Sequence, residues 1–218
     1  GQTMQAWQRE LDQALDMATS HLSLYQLSIE RGTPFYTAER RGEFRIPNED
    51  LASDLYEMTQ SICEERGLAA YEISNHSTPG NECRHNLGYW TGQDYVGIGP
   101  GAHGRISVDQ TIYATEQTPR PDLWLAAIAR DGHATRHRKA LKGLTRIEEV
   151  LMMGLRLREG LTRKDFHLAT SQQFEDVLEP RRLRPLINAN YLQLDELGLR
   201  TTRAGRIRLN SILTALLA

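Results

Sequence analysis

Three of the seven histidines and one of the two cysteines fall in one stretch, YEISNHSTPGNECRHNLGYWTGQDYVGIGPGAHG, from Tyr71 to Gly104. His76, His85 and His103 can each present a neutral imidazole near pH 7, able to ligate a metal or carry a proton. Cys83 stands two residues before His85. A Cys-x-His pair near His76 could begin a zinc site, but four ligands and a supporting shell are needed, so a free thiol is the better reading of Cys83. Taken alone, His85 reads first as a hydrogen-bonded structural histidine and only second as a ligand, because Asn86, Tyr89 and Trp90 equally suit a helical turn plugging a barrel. Gly97, Gly99, Gly101 and Gly104 resemble a dinucleotide fingerprint only in outline, because Pro100 interrupts it. They read instead as a close backbone approach to a flat ligand. Glu30 and Glu72, the acidic residues nearest strand ends, read as solvated or salt-bridged groups.

These residues need a scaffold. Apolar positions at Met4, Trp7, Leu11, Leu15 and Ala18 predict an amphipathic helix with Thr3 as N-cap. Asn48 caps a second helix through Leu51, Leu55, Met58, Ile62 and Cys63, ended by Gly67, with Cys63 in the core. His21 to Ser28, Leu68 to Ile73 and Tyr95 to Ile98 read as short buried strands. Helices and strands alternating in this way predict parallel α/β units, with ligands beyond the carboxyl ends of the strands. Three strands fall short of the eight that close a barrel, so the open edge along His21 to Ser28 is expected either to recruit a second copy of the chain or to fold only in part while residues 145–218 stay ordered.

Beyond His103, Arg105 to Pro121 reads as a surface strand or loop and Asp122 to Ala129 as a short helix. Gly132 to Lys142, basic and irregular, reads as a crossing segment between domains. The boundary is placed there: residues 1–142 form the α/β part and 143–218 a second domain. Thr145 with Glu148 is a capping-box pattern opening a helix that Gly160 stops, and Thr162 with Asp165 repeats the pattern. Phe174 to Leu178 and Leu183 to Ile187 are expected to be helical, Tyr191 to Asp195 to pair with Leu197 to Thr201, and Thr202 to Leu217 to be a helix. Helices followed by a hairpin suggest a winged-helix arrangement. Arg181, Arg182, Arg184, Arg203, Arg206 and Arg208 raise a nucleic-acid reading. Without Asn, Gln or aromatic reading positions, and at a formal net charge of -2, no nucleic-acid partner is expected.

Two cysteines are too few for a disulfide framework or a thiolate-bound cluster. No apolar run approaches the ~20 residues of a membrane span, and no basic-then-apolar signal stands at Gly1, so a cytoplasmic location is expected, with any membrane association coming through partners.

Several of these segments carry a resemblance. YEISN, RHNLGYW and DYVGIGPGAHG, with HLSLYQLSIERGTPF upstream, resemble the later barrel strands of the HemW-type haem chaperones, radical-SAM proteins related to oxygen-independent coproporphyrinogen III oxidases. HNxxYW, here His85, Asn86, Tyr89 and Trp90, is the family's own motif. The resemblance covers nearly the whole chain and implies the C-terminal part of such a protein, without its CxxxCxxC segment. The implied fold is an incomplete (β/α) radical-SAM-type barrel followed by a small helical, winged-helix-like domain.

The resemblance also implies roles. His85 becomes the first choice for haem-iron ligand, with Asn86, Tyr89 and Trp90 against the porphyrin. Gln26, Ser28, Ile98, Gly99, Ala102 and His103 lie on the S-adenosylmethionine side, and a 4Fe-4S cluster belongs to the full-length protein. The implied function is binding haem and delivering it to haem-requiring respiratory enzymes. The rival function is oxygen-independent coproporphyrinogen III oxidation, and a winged-helix nucleic-acid-binding protein is the third reading.

Overall fold

The computed structural model describes residues 2–109 and 111–217. Their contacts divide the chain into two compact units, Gly1–Cys83 and Arg84–Ala218.

In the first unit, helix α1 (Met4–Met17) is capped by the Thr3 side chain, which accepts from the Ala6 amide. Strand β1 (His21–Ser23) is followed by an extended segment, then α2 (Pro34–Arg40) and α3 (Glu49–Glu65), capped by Thr33 and Asn48 respectively. β2 (Ala69–Ala70) and β3 (Asn75–Ser77) complete a three-stranded sheet in the order β1-β3-β2. Leu11, Leu15, Cys63 and Leu68 form its buried cluster, against which Trp7, Leu22, Leu24 and Ile62 pack. The leucines at positions 11 and 15 face inward because they are one helical turn apart. Cys63 is fully buried, and burial pushes its thiol up to about 11.

Pairing in this sheet is antiparallel throughout, with Leu22 opposite His76 and Ala70 opposite His76 from the other side. The expected parallel strands therefore do not form among these residues. The run from Leu68 to Ile73 is not one strand: the chain reverses after Ala70, and the Tyr71 amide donates to the Asn75 carbonyl at 3.1 Å. Glu72 sits inside that reversal, wholly buried, so of the two expected roles the solvated one does not hold for it. Regular pairing of β1 stops at Ser23, and Tyr25, Gln26, Leu27 and Ser28 are exposed.

The second unit begins with α4 (Arg84–Trp90). Strands β4 (His103–Val108) and β5 (Thr111–Gln117), helix α5 (Pro121–Asp131) and strand β6 (Thr135–Leu141) follow, the strands forming an antiparallel sheet in the order β4-β5-β6. The basic segment expected to cross between domains is thus an edge strand, with exposed cations along its middle. Charged side chains on an edge strand discourage pairing with other chains. Tyr95 to Ile98, expected to be a strand, contributes a single bridge from Tyr95 to Arg105.

Helix α6 (Gly143–Gly154) starts two residues before Thr145, with Lys142 at its N-cap, so the Thr145–Glu148 pattern is not a cap. β7 (Leu161–Thr162) leads into α7 (Arg163–Thr170), where the Thr162 hydroxyl does accept from the Asp165 amide as expected. Then come α8 (Phe174–Val177), α9 (Pro180–Asn188), β8 (Leu192–Leu194), β9 (Gly198–Thr201), α10 (Arg203–Arg206) and α11 (Leu209–Leu217). The expected hairpin forms as β8 and β9, and β7 joins it on the far side of β9. Phe166 and Phe174, both fully buried, stack with ring centroids 4.2 Å apart.

Candidate functional site

His85, Asn86, Tyr89 and Trp90 share the short helix α4. His85 and Tyr89 are four residues apart and so lie on one face. His85 is exposed, and its ring meets Tyr89 edge-on at 4.7 Å. Tyr89 in turn meets Tyr95 at 4.3 Å, giving a run of three aromatic rings with the imidazole at its open end. Trp90 is half-buried, and the Arg156 guanidinium lies 4.5 Å from its ring centroid.

Behind Tyr95 is a charged cluster that sequence reasoning missed. Glu149 accepts from Arg105 Nε at 2.6 Å and from Arg146 at 2.9 Å, while Arg146 also donates to the Ala169 carbonyl. Arg146 is buried, so Glu149 supplies the charge that makes that burial tolerable. The pairs span 44 and 23 residues, which no local pattern reveals.

The loop GIGPGAHG folds on itself. A Cβ at Gly97 would overlap the His103 carbonyl oxygen, and one at Gly104 would come within 2.6 Å of Thr115 Oγ1, so at these positions the close neighbour is the chain itself. Gly99 and Gly101 adopt positive φ (109° and 70°), which a side chain resists. Ile98 is 83% exposed at the loop tip. Ala102 accepts from the Gln117 amide, and His103 is exposed opposite Glu116.

Gln26 and Ser28 belong to the first unit. Gln26 donates to the Ala52 carbonyl at 2.8 Å and lines a cavity of about 400 Å³ with Trp7, Phe44, Tyr56, Thr59 and His76. Ser28 is exposed in the segment after β1. At the cavity, Gln60 Nε2 lies 3.1 Å from His76 Nε2, and His76 Nδ1 is buried with no hydrogen-bond partner. Burial pushes the imidazole down to about 4, against the attraction of Glu72 and with the help of His21, so it is neutral at pH 7. The sequence marks His76 as a candidate, but its partner Gln60 lies on another element.

Both cysteines are free thiols. Cys63 is enclosed in the core with its thiol pushed towards the protonated form, so the two do not make the ligand set of a cluster. Among the described residues no three His, Cys, Asp or Glu side chains gather to hold a metal ion. No helix among them is long and apolar enough to cross a membrane.

Comparison with known proteins agrees with this architecture. Residues 141–208 match the HemN C-terminal domain family. The chain superposes on the coproporphyrinogen III oxidase HemN of Escherichia coli, described as a radical SAM enzyme, with a TM-score of 0.74 at 16% identity, over 99% of this chain and 52% of that one. The chain therefore shares the fold of the matched half of that protein. Along its whole length the chain is 36% identical to the mitochondrial radical S-adenosyl methionine domain-containing protein 1 of Danio rerio, covering 50% of it. It is 31% identical to the heme chaperone HemW of Bacillus subtilis, over 100% of this chain and 56% of that protein. The chain belongs to the HemW family, and spans about half the length of the curated relatives it matches.

Proposed function

We propose that the chain is the part of a haem chaperone that holds haem and passes it to haem-requiring respiratory proteins. The observation that carries this is the exposed His85 at the end of the Tyr89–Tyr95 aromatic run. A histidine open to solvent beside flat rings fits a porphyrin whose iron takes one axial imidazole. Asn86, Tyr89 and Trp90 would flank the ring. Support also comes from the name heme chaperone carried by the Bacillus subtilis relative.

In this reading the units form part of a (β/α) radical-SAM barrel with a winged-helix-like domain from about residue 143. Gln26 and Ser28 in the first unit, and Ile98, Gly99, Ala102 and His103 in the second, keep the S-adenosylmethionine role that the resemblance implies for each. The cluster would be held by thiolates other than Cys63 and Cys83, and no step is assigned to it. The cytoplasmic location is part of the same proposal.

Haemin titration tests the reading. A Soret shift is expected with this chain and is expected to be lost in His85→Ala while circular dichroism is unchanged. An unchanged shift in the variant would remove His85 as ligand, and no shift in the parent would remove the haem reading. Coproporphyrinogen oxidation is the second reading, favoured by the structural likeness to HemN. Conversion of coproporphyrinogen by the full-length protein, with cluster and S-adenosylmethionine supplied, would decide for it.

A further inference from the structure

Between Asp131 and Glu148 the sequence holds no acidic residue, yet Arg136, Arg138, Lys139, Lys142 and Arg146 fall there with His133 and His137, in a chain whose formal net charge is -2. Arg146 is buried against Glu149, and the other cations sit on or beside strand β6. Arg136 to Lys139 are four exposed residues in succession. Arg136 reaches Glu116 only at 4.0 Å, and the Arg138 guanidinium lies 4.0 Å from the Tyr113 ring centroid. No carboxylate among the described residues pairs with Lys139 or Lys142. A surface that uses charge only to stay in solution intersperses both signs, and this one does not.

β6 is the outer strand of the β4-β5-β6 sheet and pairs with β5 along one side, from Thr135 to Leu141. Its other side carries the alternate backbone N–H and C=O groups that a further strand would use, and among the described residues no hydrogen bond of residues 136–141 leads that way. Side chains along a strand alternate between faces. Arg138 shares a face with Tyr113, while His137, opposite Glu116, and Lys139, opposite Ala114, take the other. The cations therefore stand on both faces of the sheet, and the free edge is the one line they share.

That placement selects an occupant. A lipid surface or a nucleic-acid duplex laid on one face meets only part of the charge. A second copy paired edge to edge about His137 and Arg138 sets Arg136 against Lys139, and like charges directly opposite destabilise a strand pair. An extended acidic chain continues the ladder with its backbone and places carboxylates opposite the cations of both faces. We propose that the free edge of β6 docks an extended acidic segment of a partner protein, added as a fourth strand with Asp or Glu opposite Arg136, Arg138 and Lys139. The charge that keeps neutral and basic strands away is what admits an acidic one. Nothing in this site depends on His85 or on haem.

The test uses this 218-residue chain and a labelled heptapeptide, matched in length to β6, with four consecutive glutamates between valine and threonine residues. Fluorescence anisotropy is expected to show binding that weakens as salt is raised. Hydrogen exchange is expected to slow at residues 136–141 and to stay unchanged at β4, the far strand of the sheet. Arg138→Glu combined with Lys139→Glu is expected to weaken binding about tenfold or more, the scale of two reversed cross-strand charge pairs. Lys164→Glu, the same change at an exposed position of α7, should leave it unaltered. The peptide methylated on every backbone nitrogen of its glutamate run keeps the charge, loses the donors and is expected not to bind. If the methylated peptide binds as well as its parent, or exchange at 136–141 does not slow, no strand is added and the proposal is wrong. Absence of peptide binding at low salt overturns it too. Phosphatidylserine vesicles and a DNA duplex are titrated alongside, and tighter binding of either, lost in the same double variant, would give the cations to a different polyanion and overturn it. Circular dichroism on each variant excludes unfolding as the cause.

Discussion

Asn75 ties β1 to β3 through its side chain: its Oδ1 accepts the Ser23 hydroxyl at 2.5 Å, and its Nδ2 donates to Glu72 Oε1 at 2.5 Å. The same carboxylate oxygen accepts from the Ser74 amide and hydroxyl, each at 2.9 Å. Asn75→Ala removes a donor from a buried carboxylate and the acceptor of the exposed Ser23 hydroxyl, a loss of about 2 kcal/mol. Chemical denaturation is expected to show a lower midpoint for the first unit. Hydrogen exchange should quicken at residues 21–23 first, and equal protection in the variant would contradict the bridging role.

His76 makes the first unit acid-sensitive. Its folded pKa, near 4, lies below the ordinary 6.5, so between those values the unfolded chain holds a proton that the folded chain refuses. Stability is fully present above about pH 6.5 and falls as the pH drops towards 4, by about 3 kcal/mol in all. Unfolding curves across this window are expected to show that slope, and His76→Phe to flatten it. A slope of the same size in the variant would shift the cause to other groups.

Glu149 neutralises two arginines, one of them, Arg146, buried. Glu149→Ala leaves a buried guanidinium without its counter-charge and is expected to destabilise the second unit by about 3–5 kcal/mol. Replacing Arg105, Arg146 and Glu149 together by apolar residues should recover much of that loss. If the single variant unfolds like the parent, solvent reaches Arg146 and the cluster is not a buried one.

Gly160 and Gly132 both have positive φ (71° and 76°) but differ in surroundings. A Cβ at Gly160 would overlap Arg200 Cβ and the Leu199 carbonyl, whereas Gly132 has nothing within 4 Å. Gly132→Ala is expected to cost about 1–2 kcal/mol, the strain of the left-handed backbone alone. Gly160→Ala should cost clearly more, because β9 must shift as well. Thermal unfolding of the two variants compares them directly, and equal losses would mean the backbone near Leu199 yields freely.

Helix caps were readable because they are local. Thr3, Asn48 and Thr162 each bond an amide three residues on. The same locality misleads at Thr145, where the capping pattern lies inside a helix that has already begun. Strands were harder. Leu68 to Ile73 looks continuous because Tyr71 and Ile73 are apolar, yet a buried carboxylate at Glu72 accepts the Ser74 amide and turns the chain back. β6 escaped notice since four exposed residues in succession, Arg136 to Lys139, erase the alternation that marks a half-buried strand. The residues of the HNLGYW motif fall together on α4 because they are neighbours in the chain. Gln60 at His76, Arg105 at Glu149 and Arg156 at Trp90 come from distant elements, and periodicity carries no information about them.

The sealed thiol of Cys63 turns the first unit into its own opening gauge. Fully enclosed and held protonated, it can react with an alkylating reagent only when α3 parts from its packing, whereas Cys83, partly exposed, reacts from the folded state. In a Cys83→Ser background, the labelling rate at residue 63 therefore counts excursions of the native chain, in seconds or hours, without any denaturant. Ligands of the neighbouring cavity would announce themselves as a slower count.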